Sequence, residues 1–434
     1  MRVTHPYRHG PVAYTDPGAA SLILAELLIP GRGDPIRDAA LVFRGGKILW
    51  VGSAASLPPE HGQLCSLHVP VLMPGLWDCH CHYVGGDIVT NVNGTPYLPG
   101  TNALIGAITV DDLKATLRAG YTSVRELGGY AGDVKPGVEK GALIGPNIYS
   151  AHGALSITGG HGDDQLVPIT TVHEAMCHGG FPVAVCDGAD ECTKAVRMMI
   201  RRGASVIKIC SSGGVLTPND QPEDQQFSPA ELKAVVDEAA RSRRAVAAHA
   251  IGKAGIMAAL HAGVRSIEHG MFLDEEAAAL MKEKGAYFVA TQHIVRTLAS
   301  DYLDTLPVPV RRKLLALVER AKEAYKLAVR SGVNIALGTD MLSSDRKSKL
   351  SHGNNAMELV YAVEAGMTPL QAIECATANG PMTLGGLAPQ SGQLKVGYDA
   401  DFIAVAENPL DDIAILGQQR NILHVWKGGK HYDF

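Results

Sequence analysis

Five short apolar stretches of this sequence end in side chains that bind metals or carry protons. The first ends Trp77-Asp78-Cys79-His80-Cys81-His82. Side chains alternate faces along a strand, so His80 and His82 point one way and Cys79 and Cys81 the other. The two imidazoles make a chelate for one cation, and the cysteines are expected against surrounding helices. Lys208 stands in Val206-Ile207-Lys208-Ile209-Cys210, where a buried ammonium is costly and loses its proton readily. His249 closes another apolar run, His269 follows Glu268 in the next, and Asp340 ends Gly338-Thr339-Asp340. Imidazole and carboxylate donors suit zinc and related first-row cations.

Each residue also has an ordinary explanation. A histidine on a buried strand is more often hydrogen-bonded core, which applies to His249 and His269 singly. Lys208 can run its stem to solvent, and Asp340 can cap a following helix. Five separate segments each delivering a suitable group, one of them as a His-x-His pair, outweigh those explanations jointly. His161, in Gly159-Gly160-His161-Gly162-Asp163, is a candidate to contact substrate or a tetrahedral oxyanion, or else only orders its glycine-rich turn. His293 is a second candidate for lining the pocket, and His152 reads as structural. Arg125 and Arg296 are options for a substrate carboxylate, but ion pairing explains either equally well.

The elements that must position these groups alternate between strand-like and helix-like patterns. Strands are expected at 71–82, 122–127, 147–151, 206–210, 245–250, 266–269, 287–291 and 335–340. Between them lie helical stretches such as 229–243, opened by Ser228 and Glu231 as a capping box, and 252–261, stopped by Gly263. Eight strands in βαβα order predict an α/β fold, a (β/α)8 TIM barrel over 74–386, with the chemistry at the C-terminal strand ends. Both chain ends carry short strands instead, at 21–30 and 39–52 around Gly45-Gly46, then at 392–396, 401–406 and 422–427 before Gly428-Gly429. Neither end suffices for a core of its own. Residues 1–73 and 387–434 are therefore expected to combine into one small β-sandwich domain.

Composition bounds the rest. Among 434 residues, 46% are hydrophobic and 19% charged, with a net charge of −5, so no basic footprint marks a nucleic-acid or anionic-membrane partner. No apolar run reaches the length of a membrane span, and residues 1–14 lack the apolar core of a secretory signal. Eight cysteines without a CxxC pair point to a reducing compartment, with cytoplasm the default. The polar, nearly uncharged segment 85–101 reads as one wall of a roomy pocket.

The run Pro74-Gly75-Leu76-Trp77-Asp78-Cys79-His80-Cys81-His82 resembles the opening signature of the amidohydrolase superfamily. Lys208, His249, Glu268-His269 and Gly338-Thr339-Asp340 match its other ligand positions in order. Gly159-Gly160-His161-Gly162-Asp163, Ser212-Gly213-Gly214-Val215 and His424-Val425-Trp426-Lys427-Gly428-Gly429-Lys430 look closest to the prolidase-like and ochratoxinase-like branch. The resemblance implies two divalent ions, zinc the expected metal. His80, His82 and Asp340 would hold the more buried ion, His249 and His269 the more exposed one, and Lys208, as N6-carboxylysine, would bridge them. It implies cleavage of the amide bond of an N-acyl amino acid, a dipeptide or an ochratoxin-like amide, a small molecule, by a metal-bridging hydroxide. Asp340 would act as base and then acid. It also implies a homo-oligomer, octamers occurring in that branch. Two other readings stand beside it: a cyclic-amide or imine hydrolase of the imidazolonepropionase type, and a non-catalytic barrel scaffold.

Overall fold

The computed structural model describes residues 19–86, 99–165, 167–178, 182–217 and 219–434, with side chains omitted for 99–101. The N-terminal stretch read for a secretory signal, and most of the segment read as a pocket wall, lie outside the described residues. The chain opens with β1 (Ala20–Leu28), β2 (Ile36–Arg44), β3 (Lys47–Ser53) and β4 (Ser66–Pro74). The β2–β3 hairpin turns at Gly45-Gly46, as the glycines predict, and β1 lies antiparallel to β2 and parallel to β4.

After Gly75 the chain enters a different sheet. The stretch 71–82 was expected as one strand, but it divides into β4 and β5 (Leu76–Cys81). The Gly75 amide bonds Asp401 O at 3.0 Å, and the next amide, Leu76, bonds Gly120 O at 2.9 Å. Adjacent residues thus serve two sheets. A Cβ on Gly75 would approach the Thr122 hydroxyl to 2.1 Å, so no larger residue fits this crossing.

β5, β6 (Tyr121–Glu126) and β7 (Asn147–Ser150) form a parallel ladder of three strands. A second parallel ladder contains β8 (Ala154–Ser156), β9 (Val183–Val185), β10 (Val206–Cys210), β11 (Ala245–Ala250), β12 (Ser266–His269), β13 (Tyr287–Val289) and β14 (Asn334–Ile335). Its order is β14-β13-β12-β11-β10-β8-β9. The architecture is α/β with parallel sheets. Two expected strands change: 147–151 continues past a break into β8, which also pairs with the unexpected β9, and 335–340 keeps regular pairing only at its start. Backbone bonds still join the ladders, from Cys79 N to Leu337 O at 2.9 Å and from Ser205 N to Ser150 O at 2.8 Å.

Local signals in the helices hold. The helix Pro229–Arg241 starts at Ser228, with the reciprocal Ser228–Glu231 capping box formed. The helix Lys253–Ala262 ends at Gly263, whose φ of 96° is the left-handed stop. Most helices bury Ala, Val, Ile and Leu against the strands in one large apolar cluster. Among the described residues, no helix is long and apolar enough to cross a membrane, and all eight cysteines are free thiols.

The chain returns in β15 (Phe402–Val405), β16 (Ile422–Lys427) and β17 (Lys430–Tyr432) to complete one seven-stranded sheet, β17-β16-β15-β4-β1-β2-β3. Residues 392–396, expected as a strand, form bends and a turn instead, with Leu394 N bonded to Pro30 O at 2.9 Å. The sheet curls, so that Ile48 of β3 exchanges backbone bonds with Gly397 and Tyr398, each at 2.9 Å. Phe43, Phe402 and Trp426 fill the space this encloses.

Candidate metal centre

The C-terminal ends of β5, β10, β11 and β12, and of the run after β14, converge. Ligand atoms of His80, His82 and Asp340 all lie within 4.8 Å of one another. The Asp340 carboxylate sits 3.1 Å from His82 Nε2 and 3.5 Å from His80 Nε2. The rings continue as a chain, with centroids 5.2 Å apart from His82 to His80, 5.0 Å from His80 to His269 and 4.6 Å from His269 to His249. His161 stacks on His249 at 4.1 Å. Lys208 is buried, two positions along the strand face from Val206. It is electrostatically coupled to Glu268 and Asp340.

The ring nitrogens are committed in a pattern that suits metal ligation. His80 Nδ1 donates to Glu268 Oε2 at 2.9 Å, His82 Nδ1 to Gly128 O at 2.7 Å, and His249 Nε2 to Gly213 O at 3.0 Å. His269 Nδ1 meets the Thr291 hydroxyl at 2.8 Å. The three rings that donate to carboxylate or carbonyl oxygens, His80, His82 and His249, thereby keep the other nitrogen as a lone-pair donor in an oriented tautomer, the arrangement that metal-binding histidines share. Among the described residues, His80 Nε2 is buried without a hydrogen-bond partner. Such an orphan costs about 1–3 kcal/mol, and a cation between His80, His82 and Asp340 would satisfy it.

Electrostatics favour the same occupant. Burial, with Lys208 and neighbouring imidazoles, holds His80, His249 and His269 well below the usual histidine range, so their rings are neutral donors. Burial also lowers Lys208, against the opposing pull of Glu268 and Asp340, which makes its amine more available as a nucleophile. Burial alone would raise Asp340, but His80, His82 and Lys208 outweigh it and keep the carboxyl below its ordinary value.

The backbone does what strand pleating cannot. Glu268 and His269 are consecutive, and alternation would send them to opposite faces. Both nevertheless reach His80, because His269 takes a φ of 70°. Asp340, at 59°, and Thr291, at 46°, are likewise left-handed non-glycine residues at strand ends. Such conformations cost on the order of 1–3 kcal/mol each. Gly338 is required by contact: a Cβ there would lie 2.7 Å from the His80 backbone nitrogen.

One expectation is overturned. Cys79 and Cys81 do not share a face, since the β5–β6 register slips between Asp78 and Cys81. That bulge rephases the strand. Cys81 packs outward with Val124 and Leu113, while Cys79 packs with Val206, Ala247 and Val289 beneath the site. Burial pushes the Cys79 thiol up to about 12, so it remains protonated.

Other candidates separate. His293 stands apart from the imidazole chain, its ring on Tyr361 at 6.2 Å and its Nε2 on Lys349 O at 2.9 Å. Arg296 pairs with Glu364 at 2.6 Å on the outside. Arg125 is fully buried and bonds Glu268 at 2.8 Å, Ser266 at 2.8 Å and Cys79 O at 2.6 Å, so ion pairing accounts for it. His152 is buried beside Asp133, at 3.5 Å, consistent with its structural reading. Sequence reasoning quoted Glu268 and Asp78 within its motifs but gave neither a role: Glu268 orients His80, and the Asp78 carboxylate takes His80 N at 3.0 Å. Their acidity inside apolar strands was the available signal.

With this geometry in place, similarities to known proteins sharpen the picture. Residues 71–431 match the Amidohydrolase family model. Ochratoxinase of Aspergillus niger is 45% identical over 430 residues, spanning 96% of this chain and 88% of that protein. Its crystal structure superposes with a TM-score of 0.88 at 44% identity, covering 96% of each chain. The crystal structure of a Xaa-Pro dipeptidase with bound methionine in the active site gives a TM-score of 0.84 at 30% identity, covering 96% of this chain and 100% of that one. Imidazolonepropionase of Pseudomonas syringae pv. tomato is 26% identical over 407 residues, or 88% of this chain and 91% of that protein.

Proposed function

This chain belongs to the Amidohydrolase family and is a hydrolase of amide C–N bonds. On that premise we propose that it is a binuclear metal-dependent enzyme that releases an amino acid from an N-acyl amino acid, a dipeptide or an ochratoxin-like amide. The cluster of His80, His82 and Asp340, with a buried nitrogen on His80 that has no hydrogen-bond partner among the described residues, carries the metal part of this reading. The likeness to ochratoxinase and to a Xaa-Pro dipeptidase supports the substrate class.

In this proposal His80, His82 and Asp340 would hold one divalent ion and His249 and His269 a second, with Lys208, as a carbamate, serving both. The lysine amine, whose burial favours the neutral form, adds to carbon dioxide and releases one proton. Two cations, zinc the expected species, would supply an acidified water and polarise the scissile carbonyl. Asp340 takes the proton of the attacking water and returns it to the departing amine nitrogen. His161 has Nδ1 engaged by Thr217 at 3.1 Å, which leaves Nε2 as a lone-pair acceptor toward the substrate.

The proposal includes closure of both parallel ladders into one (β/α)8 barrel over residues 74–386, supported by the Cys79–Leu337 and Ser205–Ser150 backbone bonds. Of the small β-sandwich domain expected from residues 1–73 and 387–434, residues 1–18 lie outside the described residues, and the curl of the sheet built from the rest supports it. A cytoplasmic homo-oligomer acting on small molecules completes it.

Amino-acid release from ochratoxin A, N-acyl amino acids and Xaa-Pro dipeptides tests the reading, with metal content measured on the same protein. Release from at least one linear amide, with divalent metal bound, is the expected result. Turnover of a cyclic amide alone would replace it with imidazolonepropionase-like chemistry. Metal near zero without turnover would leave the scaffold.

A further inference from the structure

A lysine far along the sequence from every candidate ligand reaches the loop beside the site. Lys313 lies in the helix Val308–Ser331 but is only 8% exposed, unusual for a helical lysine. Its ammonium donates to Gly214 O at 3.1 Å, Thr217 O at 2.8 Å and the Asp220 carbonyl, and lies 3.3 Å from Asp220 Oδ1. One buried cation therefore gathers three backbone carbonyls and a carboxylate from a single loop. Backbone carbonyls in a loop are otherwise left to solvent.

That loop meets two rings of the site. Gly213 O accepts His249 Nε2 at 3.0 Å, and the Thr217 hydroxyl meets His161 Nδ1 at 3.1 Å. Asp220 binds the Thr217 hydroxyl, Gly214 N at 3.0 Å and Gln226 Nε2 at 3.3 Å, while Gln226 Oε1 takes His161 N at 3.0 Å. Gly214 underlies the His161 ring so closely that a Cβ would come within 2.0 Å of it. His161 is thus held from its backbone, its Nδ1 and its face, all by residues tied to Asp220 or Lys313.

We infer that Lys313 is a positioning residue, which locks this loop and thereby keeps His161 stacked over His249 and presented to substrate. The kinetic part of the inference rests on the amide-hydrolase reading above. The hydrogen bonds of Lys313 among the described residues go to Gly214, Thr217 and Asp220 and not to a candidate metal ligand, so it acts through that loop.

The test uses full-length, metal-loaded protein carrying Lys313→Met, His161→Ala, both together, or Lys313→Arg. Each of the first two should lower kcat between about 10- and 100-fold, as misplacement of a reacting group does. The double variant should be no slower than the worse single variant, because one group acts through the other. Lys313→Arg should recover part of the loss, and metal content should be unchanged throughout. Amide hydrogen exchange should quicken across residues 211–226 in Lys313→Met, without any substrate present. If Lys313→Met fails to fold, Asp220→Asn cuts the same link and should show the same non-additivity with His161→Ala. Multiplying kinetic losses, or unchanged exchange in that segment, would overturn the inference. Were wild-type protein to cleave no amide, the functional reading would fail, while exchange would still decide whether Lys313 orders the loop.

Discussion

The Asp78 carboxylate accepts the Thr339 hydroxyl at 2.6 Å, linking the residue two before His80 to the residue before Asp340. Asp78 also accepts the amides of His80 at 3.0 Å and Thr339 at 3.1 Å, and Asn355 Nδ2 at 2.6 Å. One buried carboxylate therefore sets the spacing between two segments whose ends carry candidate ligands. Burial raises its pKa despite these donors, so each donor matters to keeping it in place.

Thr339→Val removes the hydroxyl at nearly constant volume and leaves a buried carboxylate oxygen short of a donor. Stability should fall by about 1–3 kcal/mol, and metal retention during dialysis should weaken with it. Urea denaturation and metal analysis measure both, and unchanged values would show that Asp78 does not couple the two segments.

Glu268 sits between His80 Nδ1 at 2.9 Å and Arg125 Nη2 at 2.8 Å, with both partners buried. Glu268→Gln should cost about 3–5 kcal/mol by leaving the guanidinium unpaired. It should also weaken metal binding about 10–100-fold through loss of the orienting acceptor. Metal titration followed calorimetrically, beside a thermal melt, separates the two effects.

Lys208→Ala should lower bound metal to about one ion per chain or fewer and reduce turnover in parallel, since the proposed joining anion would be gone. In the wild-type protein, reconstitution of stripped samples should proceed faster with bicarbonate than in degassed buffer. A full complement of metal at full rate in the variant would remove Lys208 from the centre.

Asp340→Asn keeps the shape but not the proton acceptor. Turnover should drop by about 10²- to 10⁴-fold, while metal content falls less, because the imidazoles remain. Steady-state kinetics on metal-repleted variant protein decide this. A normal rate would place the proton transfer elsewhere.

Glu358 gives a pH signature away from the centre. It accepts Gln292 N at 3.0 Å and His293 N at 2.8 Å, yet burial raises it from the usual 4.5 to about 8. Between those values the unfolded chain has released this proton while the folded chain retains it, so ionisation favours unfolding. The contribution is fully present below 4.5 and lost as pH rises through about 8. Against Glu358→Gln, the wild-type urea midpoint should therefore decline between about pH 5 and pH 8. A wild-type midpoint that rose relative to the variant would reverse the assignment.

The sequence by itself determined the candidate ligand positions, because histidine, lysine and aspartate at the ends of apolar runs conflict with burial unless they have a purpose. It also determined the α/β alternation and the pairing of both chain ends, which follow from local patterning and turn glycines. The small strands at 154–156 and 183–185 were not legible, being too short to carry a period. Nor was the division of the stretch 71–82, which turns on Gly75 crossing against Thr122. Only the tertiary structure decided how the ligands face one another. The bulge that separates Cys79 from Cys81, and the left-handed turns at His269 and Asp340, break strand alternation, and contacts between distant segments accompany them: Glu268 with His80, Asp78 with Thr339, and Gly338 against His80. Periodicity describes a strand alone, whereas such strained backbone exists only where long-range packing compensates for it.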